Sequence, residues 1–235
     1  MRVAIHQPHY LPWLGLIDKI DRSDLFVHLD HVQYERRGWQ NRNYIAAKGG
    51  PVMLTVPVVQ HSRGELIKDK QIDTAQGWIE KHRRAIAHFC YRNAPYWPEL
   101  GQDIVGIYDR EWTNLAELAI TSTDLILKQF GVNTPCVRSS ELGEFTGQKS
   151  ELIAQIAAKV GATAMLSGDG ARGYMDEDVF RELGVTLEWQ NFQHPTYTQF
   201  CRAEDEFLPR MAAIDLLLNK GPDGINLLRA ARAES

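Results

Sequence analysis

Cysteine is scarce in this chain of 235 residues: Cys90, Cys136 and Cys201 are scattered, and no two form a CxxC pair. That excludes a disulfide framework and a thiolate-rich zinc site, and leaves reduced, mostly buried thiols. No apolar run approaches the ~18 residues of a membrane-spanning helix. Met1-Arg2-Val3-Ala4-Ile5 runs straight into His6 and Gln7 without the apolar core of a signal peptide, so a cytoplasmic protein with no membrane segment is expected. A basic excess is missing too. The net charge of −4 argues against nucleic acid as a partner, with Arg36-Arg37 and Lys81-Arg83-Arg84 as local basic clusters. HExxH and the serine-nucleophile elbow are also absent, which removes two common hydrolase classes. What remains is 44% hydrophobic and 24% charged, the balance of a globular domain with a real core.

Periodicity predicts an α/β fold with a parallel-sheet core built from βαβ units and a mostly helical middle segment. Val3–Ile5 is short, apolar and rich in β-branched residues, so it reads as a buried strand. Pro8 and Pro12 then forbid regular structure up to Gly15. Leu14, Leu16, Ile17 and Ile20 recur at helical spacing, with Asp18, Lys19, Asp21 and Arg22 expected on the opposite, solvent face. Leu25–Asp30 reads as a second buried strand, and strand, helix, strand within about 30 residues is a βαβ unit. A polar stretch from His31 to Gly50 follows, then a strand over Val52–Val59 that Pro57 pushes to an edge or out of the sheet. Residues 75 to 130 turn helical, with Trp78, Ile79, His82, Ile86 and Phe89 on one face. Cys136–Ser140, Ala162–Leu166 and Thr186–Trp189 read as strands. Helices are expected over 149–160, where Ser150 is the cap, over 176–183, and at Asp215–Leu218 as the last. The expected organisation is an N-terminal α/β part (1–74), a helical segment (75–135) and a C-terminal α/β part (136–235) that completes the same core.

Three strand-end loops carry the chemistry. In open parallel sheets, ligands collect beyond the carboxyl ends of the strands. The first loop, His6 to Gly15, places two imidazoles, an amide and a phenol within five residues, pinned by two prolines and Trp13. Two histidines alone do not specify a closed metal site, so no metal is assigned. The second, His28 to Arg42, offers Asp30, Gln33, Asn41 and Arg42 with Tyr34 and Trp39 for stacking; its arginines suit phosphate or carboxylate. The third, Ser167 to Tyr174, is glycine-rich and can turn backbone N–H groups on an anion. It lacks the Lys-Ser/Thr of a P-loop and the spacing of GxGxxG. Solvated loops and plain turns are the ordinary explanation for such stretches, as packing is for Trp78 and His82 and exposed surface for His61 and His88.

Ile5-His6-Gln7-Pro8 with Tyr10-Leu11-Pro12-Trp13 and Gly15, and Asp30-His31-Val32-Gln33-Tyr34 with Trp39-Gln40-Asn41-Arg42, resemble the WbqC-like family. Leu54–Val58, Ser167-Gly168 with Tyr174, and Tyr197 with Ile214-Asp215-Leu216 and Gly221 resemble its later signatures, so the likeness covers nearly the whole chain. It implies a bacterial surface-polysaccharide or amino-sugar context. The opening strand, histidine loop and helix are also similar to the HIGH-type half of nucleotidylyltransferases, but His9 and Gly15 are six apart and no second histidine immediately follows Gly15.

Together these readings suggest a transferase that attaches an acyl or aminoacyl group to the amine of an amino sugar or similar small metabolite. His6, His9 and Asp30 are the candidate catalytic residues. Gln7, Tyr10, Trp13, Gln33, Trp39, Asn41, Arg42, Ser167, Gly168, Arg172 and Tyr174 are the candidate substrate contacts, and the donor is carrier-bound or nucleotide-linked. The alternatives are an ATP-dependent ligase or nucleotidylyltransferase, with ATP and magnesium as cofactor, and a non-catalytic sugar- or nucleotide-binding protein. Neither the cofactor nor the oligomeric state is legible.

Overall fold

Short apolar runs form the strands at the centre of the molecule. The computed structural model describes residues 1–60, 64–203 and 206–232. In chain order its strands are β1 (Arg2–His6), β2 (Leu25–His28), β3 (Arg42–Ala47), β4 (Gly50–Thr55), β5 (Cys136–Arg138), β6 (Ala164–Ser167) and β7 (Thr186–Trp189). Five of them make one sheet in the order β5-β2-β1-β6-β7, and every pairing is parallel. The helices are α1 (Leu14–Asp21), α2 (Trp78–Arg84), α3 (Trp97–Gly106), α4 (Leu115–Gln129), α5 (Ser150–Lys159), α6 (Glu177–Glu182), α7 (Ile214–Lys220) and α8 (Gly224–Ala231). The α/β fold and the β1-α1-β2 unit are as expected. Among the described residues, no helix is long and apolar enough to cross a membrane.

Side-chain alternation along the buried strands supplies two cores. Val3, Ile5, Val27 and Met165 face one side, with Ala154, Ile156, Ala157 and Phe180 of α5 and α6. Ala4, Phe26 and Leu166 face the other, with α1, the helical middle segment and α7. Chain order places β2 and β5 on one flank of β1 and β6 and β7 on the other. The winding therefore reverses between β1 and β6, and it is at the carboxyl ends of such a pair that open parallel sheets form their ligand crevice.

Several expectations need correction. The polar stretch before Gly50 contains β3, which pairs antiparallel with β4 in a separate two-stranded ribbon. Its turn depends on Gly50, whose φ of +118° suits a residue without a β-carbon. The strand expected over Val52–Val59 ends at Thr55. After α2 the helix widens into a π-helical stretch, Ala85–Cys90. That shifts the register of the apolar stripe, so Trp78, His82 and Ile86 are buried while Phe89 is turned out. Ser150 does not cap α5: Lys149 precedes the helix. The Ser150 hydroxyl instead donates to the Tyr174 carbonyl (3.3 Å) and accepts from the Asp176 amide (3.0 Å). α7 is followed by α8, which the Gly221-Pro222 stop had concealed.

The largest correction concerns α1. Asp18 and Lys19 are buried rather than solvent-facing, because α1 lies between the sheet on one side and α8 with the end of β7 on the other. Asp18 accepts from Gln190 Nε2 at 2.7 Å and pairs with Arg232. Asp21 pairs with Arg229 (2.6 Å) and Arg232 (2.8 Å).

Candidate functional site

Residues 6–15 leave β1 over the crevice and are held from several sides. Leu11 has a φ of +44° and precedes Pro12, an uncommon conformation for a branched side chain. It is fixed by Ser122 Oγ, which accepts from its amide at 3.0 Å, and by Asn43 Nδ2, which donates to its carbonyl at 2.5 Å. Strain of this kind persists only where the surroundings impose it, and it clusters at functional sites.

The loop presents two imidazoles edge to face, with His6 and His9 ring centres 4.6 Å apart. The His6 Nδ1 proton is donated to the Gln7 carbonyl at 3.0 Å. That fixes the tautomer and leaves the Nε2 lone pair without a hydrogen-bond partner among the described residues. His9 is buried and its Nδ1 is unpartnered among the described residues. Burial holds both rings neutral, aided by the nearby Lys19 charge: His6 falls well below its usual value and His9 to about 3. Gln7 Oε1 accepts from Gln40 Nε2 at 2.5 Å, and the Tyr10 amide donates to the Gln40 carbonyl at 3.2 Å, so the second loop is bonded to the first.

Lys19 completes this cluster. Only 5% of the residue is exposed, and its amine makes no hydrogen bond or ion pair among the described residues. It stands against Gly168 of the third loop, where a β-carbon would lie 3.1 Å from Nζ. Burial lowers its pKa to about 8, against the raising influence of Asp169 and Asp18. Gln190 Nε2 closes the same corner, bonding the Gly15 carbonyl at 2.7 Å.

The other expected residues divide by position. Tyr10 is fully buried, its hydroxyl 2.9 Å from His82 Nδ1 and in contact with the Tyr108 hydroxyl, so it belongs to the core. Trp13 packs edge-on against Phe192 and lies over Gly15. Asp30 is completely buried, and its carboxylate accepts from Ser139 Oγ (3.1 Å), the Ser140 amide (3.0 Å) and Ser140 Oγ (2.8 Å). It anchors the turn after β5. Gln33 and Trp39 are exposed, Trp39 tilted against Tyr44. Ser167 is buried at the end of β6 and its carbonyl accepts from the Gln190 amide at 2.8 Å. Arg172 stacks over Trp189 and is bonded to Asp169 and Asn191, and Tyr174 points outward.

Asn41 and Arg42 lead elsewhere. They line an open cleft of ≈ 560 Å³ with Arg36, Trp78, Lys81 and His82. Among the described residues, three cations and no carboxylate line it. Asn41 Nδ2 donates to the Val56 carbonyl at 2.8 Å, whereas its Oδ1 and Arg42 Nε have no partner among the described residues. His82, which the sequence leaves between packing and a catalytic role, forms part of that wall as well as bonding Tyr10, and burial lowers its pKa to about 4. His61 lies outside the described residues. On the far side of β2, His28, Asp124 and Cys136 place one donor atom each within 4.8 Å of one another; burial and Asp124 raise the Cys136 thiol to about 12.

Sequence reasoning missed Lys19, Gln190 and the Lys81–His82 wall. Lys19 had a signal. Five of the seven residues from Leu14 to Ile20 are apolar or glycine, so little of that helix is left for solvent.

The two opening motifs thus hold the bonded Gln7–Gln40 loops at the crevice, and the whole-chain comparison agrees with their origin. The model of the WbqC-like protein family matches residues 7–227. The chain belongs to that family. It is also similar to the uncharacterized protein Rv1507c of Mycobacterium tuberculosis, with 34% identity over 233 residues, 98% of this chain and 99% of the relative. No solved structure matches.

Proposed function

We propose that this WbqC-like protein is a transferase that forms an amide between an acyl or aminoacyl donor and the amine of an amino sugar or similar small metabolite. The observation that carries the reading is His6: a neutral imidazole at the carboxyl end of the central strand, with Nδ1 fixed by a backbone carbonyl and Nε2 unpartnered. Such a ring accepts a proton without first having to lose one. The acceptor nitrogen attacks the donor carbonyl and a C–N bond forms. His6 Nε2 takes the proton, which the new bond has made far more acidic, so a weak base suffices. The donor's leaving group then departs with the electron pair of its bond to the acyl carbon. Gln7, whose carbonyl oxygen is occupied by Gln40, keeps its amide nitrogen to donate to the developing oxyanion. The family's polysaccharide context suits a carrier-bound or nucleotide-linked donor, whose phosphates match Arg36, Arg42 and Lys81 in the neighbouring cleft.

The experiment is turnover with acyl and aminoacyl donors and amino-sugar acceptors. His6→Ala should lose about 10²–10⁴-fold in rate, while His9→Ala loses less. Equal rates in the two variants would overturn the assignment.

A second reading, ATP-dependent ligation or nucleotidylyl transfer, draws on the strand order, which opens a crevice where dinucleotide-binding sheets hold their ligand. Against it, the Trp13 ring covers Gly15 at the start of α1, where a phosphate would sit. ATP with magnesium raising the melting temperature, in wild type and more strongly in Trp13→Ala, would favour this reading.

A further inference from the structure

We infer that Lys19 is the anion receptor of the β1–β6 crevice, binding a carboxylate or phosphate oxygen of the ligand through its amine. This rests on the crevice being the site proposed above, and adds the chemical class of what it holds.

A buried lysine normally has a carboxylate or several carbonyls on its three N–H donors, since an amine withdrawn from water without partners is costly. Lys19 has neither. Asp18 and Asp169 are the nearby carboxylates, and both are engaged by other groups. Asp18 holds Gln190 Nε2, Arg22 (3.5 Å) and Arg232. Asp169 accepts from Arg172 (3.1 Å), the Asn191 amide (3.3 Å) and the Phe192 amide (3.1 Å). Neither comes within ion-pair distance of Lys19 among the described residues.

The surroundings suit an incoming anion. Gly168 has no side chain to press on the amine, since a β-carbon there would lie 3.1 Å from Nζ. His6 and His9 are near enough that, after burial, the Lys19 charge helps to lower both imidazoles, and the fold puts all of this where parallel sheets bind ligands. An oxyanion would satisfy the amine and restore the charge that burial disfavours. Anion binding and protonation of Lys19 are therefore linked, and each strengthens the other. The groups facing Lys19 are His6 and His9 from the β1 loop, Asp169 from the β6 loop and Asp18 on its own helix. The histidines are already neutral at pH 7, and Asp169 is held low, against burial, by the Phe192 amide, Arg172 and the Asn191 amide. Lys19, at about 8, is thus the facing group that titrates between pH 7 and 9.

The test uses the whole protein, with sodium sulfate and sodium acetate as probes for the phosphate and carboxylate forms of the ligand. Melting temperatures are measured at pH 7 and pH 9 for wild type, Lys19→Met and Lys19→Arg. The expected result is a rise with at least one probe at pH 7 that exceeds the rise in Lys19→Met. This excess should fall severalfold by pH 9, as the affinity drops by about tenfold per pH unit once the amine is deprotonated. Sulfate alone identifies a phosphate ligand; acetate alone identifies a carboxylate. Equal rises in wild type and Lys19→Met, an excess that does not change with pH, or no rise with either probe would overturn the inference. Lysine side-chain NMR of the labelled wild type gives the same answer if the variants fail to fold: the Lys19 ε-carbon signal must move with the probe. None of these readouts needs turnover. Absence of amide product with Lys19-dependent binding would discard the transferase and retain the receptor.

Discussion

The Lys19 amine stands so close to Gly168 that a β-carbon on the glycine would lie 3.1 Å from Nζ. The contact joins α1 to the loop after β6 across the line where the sheet reverses its winding. Gly168 has a φ of −75°, which any residue can adopt, so its smallness is required by the lysine and not by the backbone.

Gly168→Ala should therefore fold normally. Its stability should stay within ~1 kcal/mol of wild type, because alanine at a compatible φ reduces unfolded-state entropy. The displaced amine should lose most of the anion-dependent rise in melting temperature. Thermal melts with and without sulfate or acetate check both halves, and a wild-type anion response in the variant would contradict the contact's importance.

Acid should destabilise the protein through its buried histidines. His28, 2% exposed and with both ring nitrogens unpartnered among the described residues, has its pKa lowered to about 4 by burial and by Arg138, against Asp30. A base depressed in the folded state leaves the unfolded chain binding more protons between pH 6.5 and about 4. Its share of stability is complete above pH 6.5 and is lost as pH falls through that window. His28→Leu should remove it. The variant should gain on wild type by up to about 1.4 kcal/mol per pH unit between those limits. Urea unfolding at pH 7, 6, 5 and 4.5 measures the difference, and parallel curves would refute it.

Asp30 should behave as an anchor. Asp30→Ala strands the buried Ser139 hydroxyl, which costs about 1–3 kcal/mol, and releases both bonds from the exposed Ser140. A large loss of stability with residual turnover is expected. Full stability with abolished turnover would restore a catalytic role.

Tyr10→Phe separates core from ligand contact in the same way. Removing the hydroxyl from between His82 and Tyr108 should cost about 1–3 kcal/mol, with KM for any acceptor unchanged. A raised KM at wild-type stability would place Tyr10 at the substrate.

The sequence by itself determined the strands of the parallel sheet and the β1-α1-β2 unit, but not the β3–β4 ribbon. Val3–Ile5 and Leu25–His28 are apolar and too short for helices, and the proline-bounded histidine loop between them has no option but to sit at a strand end. The local pattern also announced the helical middle segment. It failed where a residue's environment is made by distant chain. Asp18 and Lys19 look solvent-facing on an isolated helix, yet α8 and Gln190 cover them from the far end of the sequence. Phe89 obeys the stripe until a π-helical stretch shifts the register. Asp30, Tyr10, Asn41 and Arg42 stood in the same motifs as His6 and Gln7, and only packing sorted them into an anchor, a core phenol and a second cleft. Periodicity reports which side of an element is apolar; which charges are left without partners depends on what folds over it, and that decided Lys19.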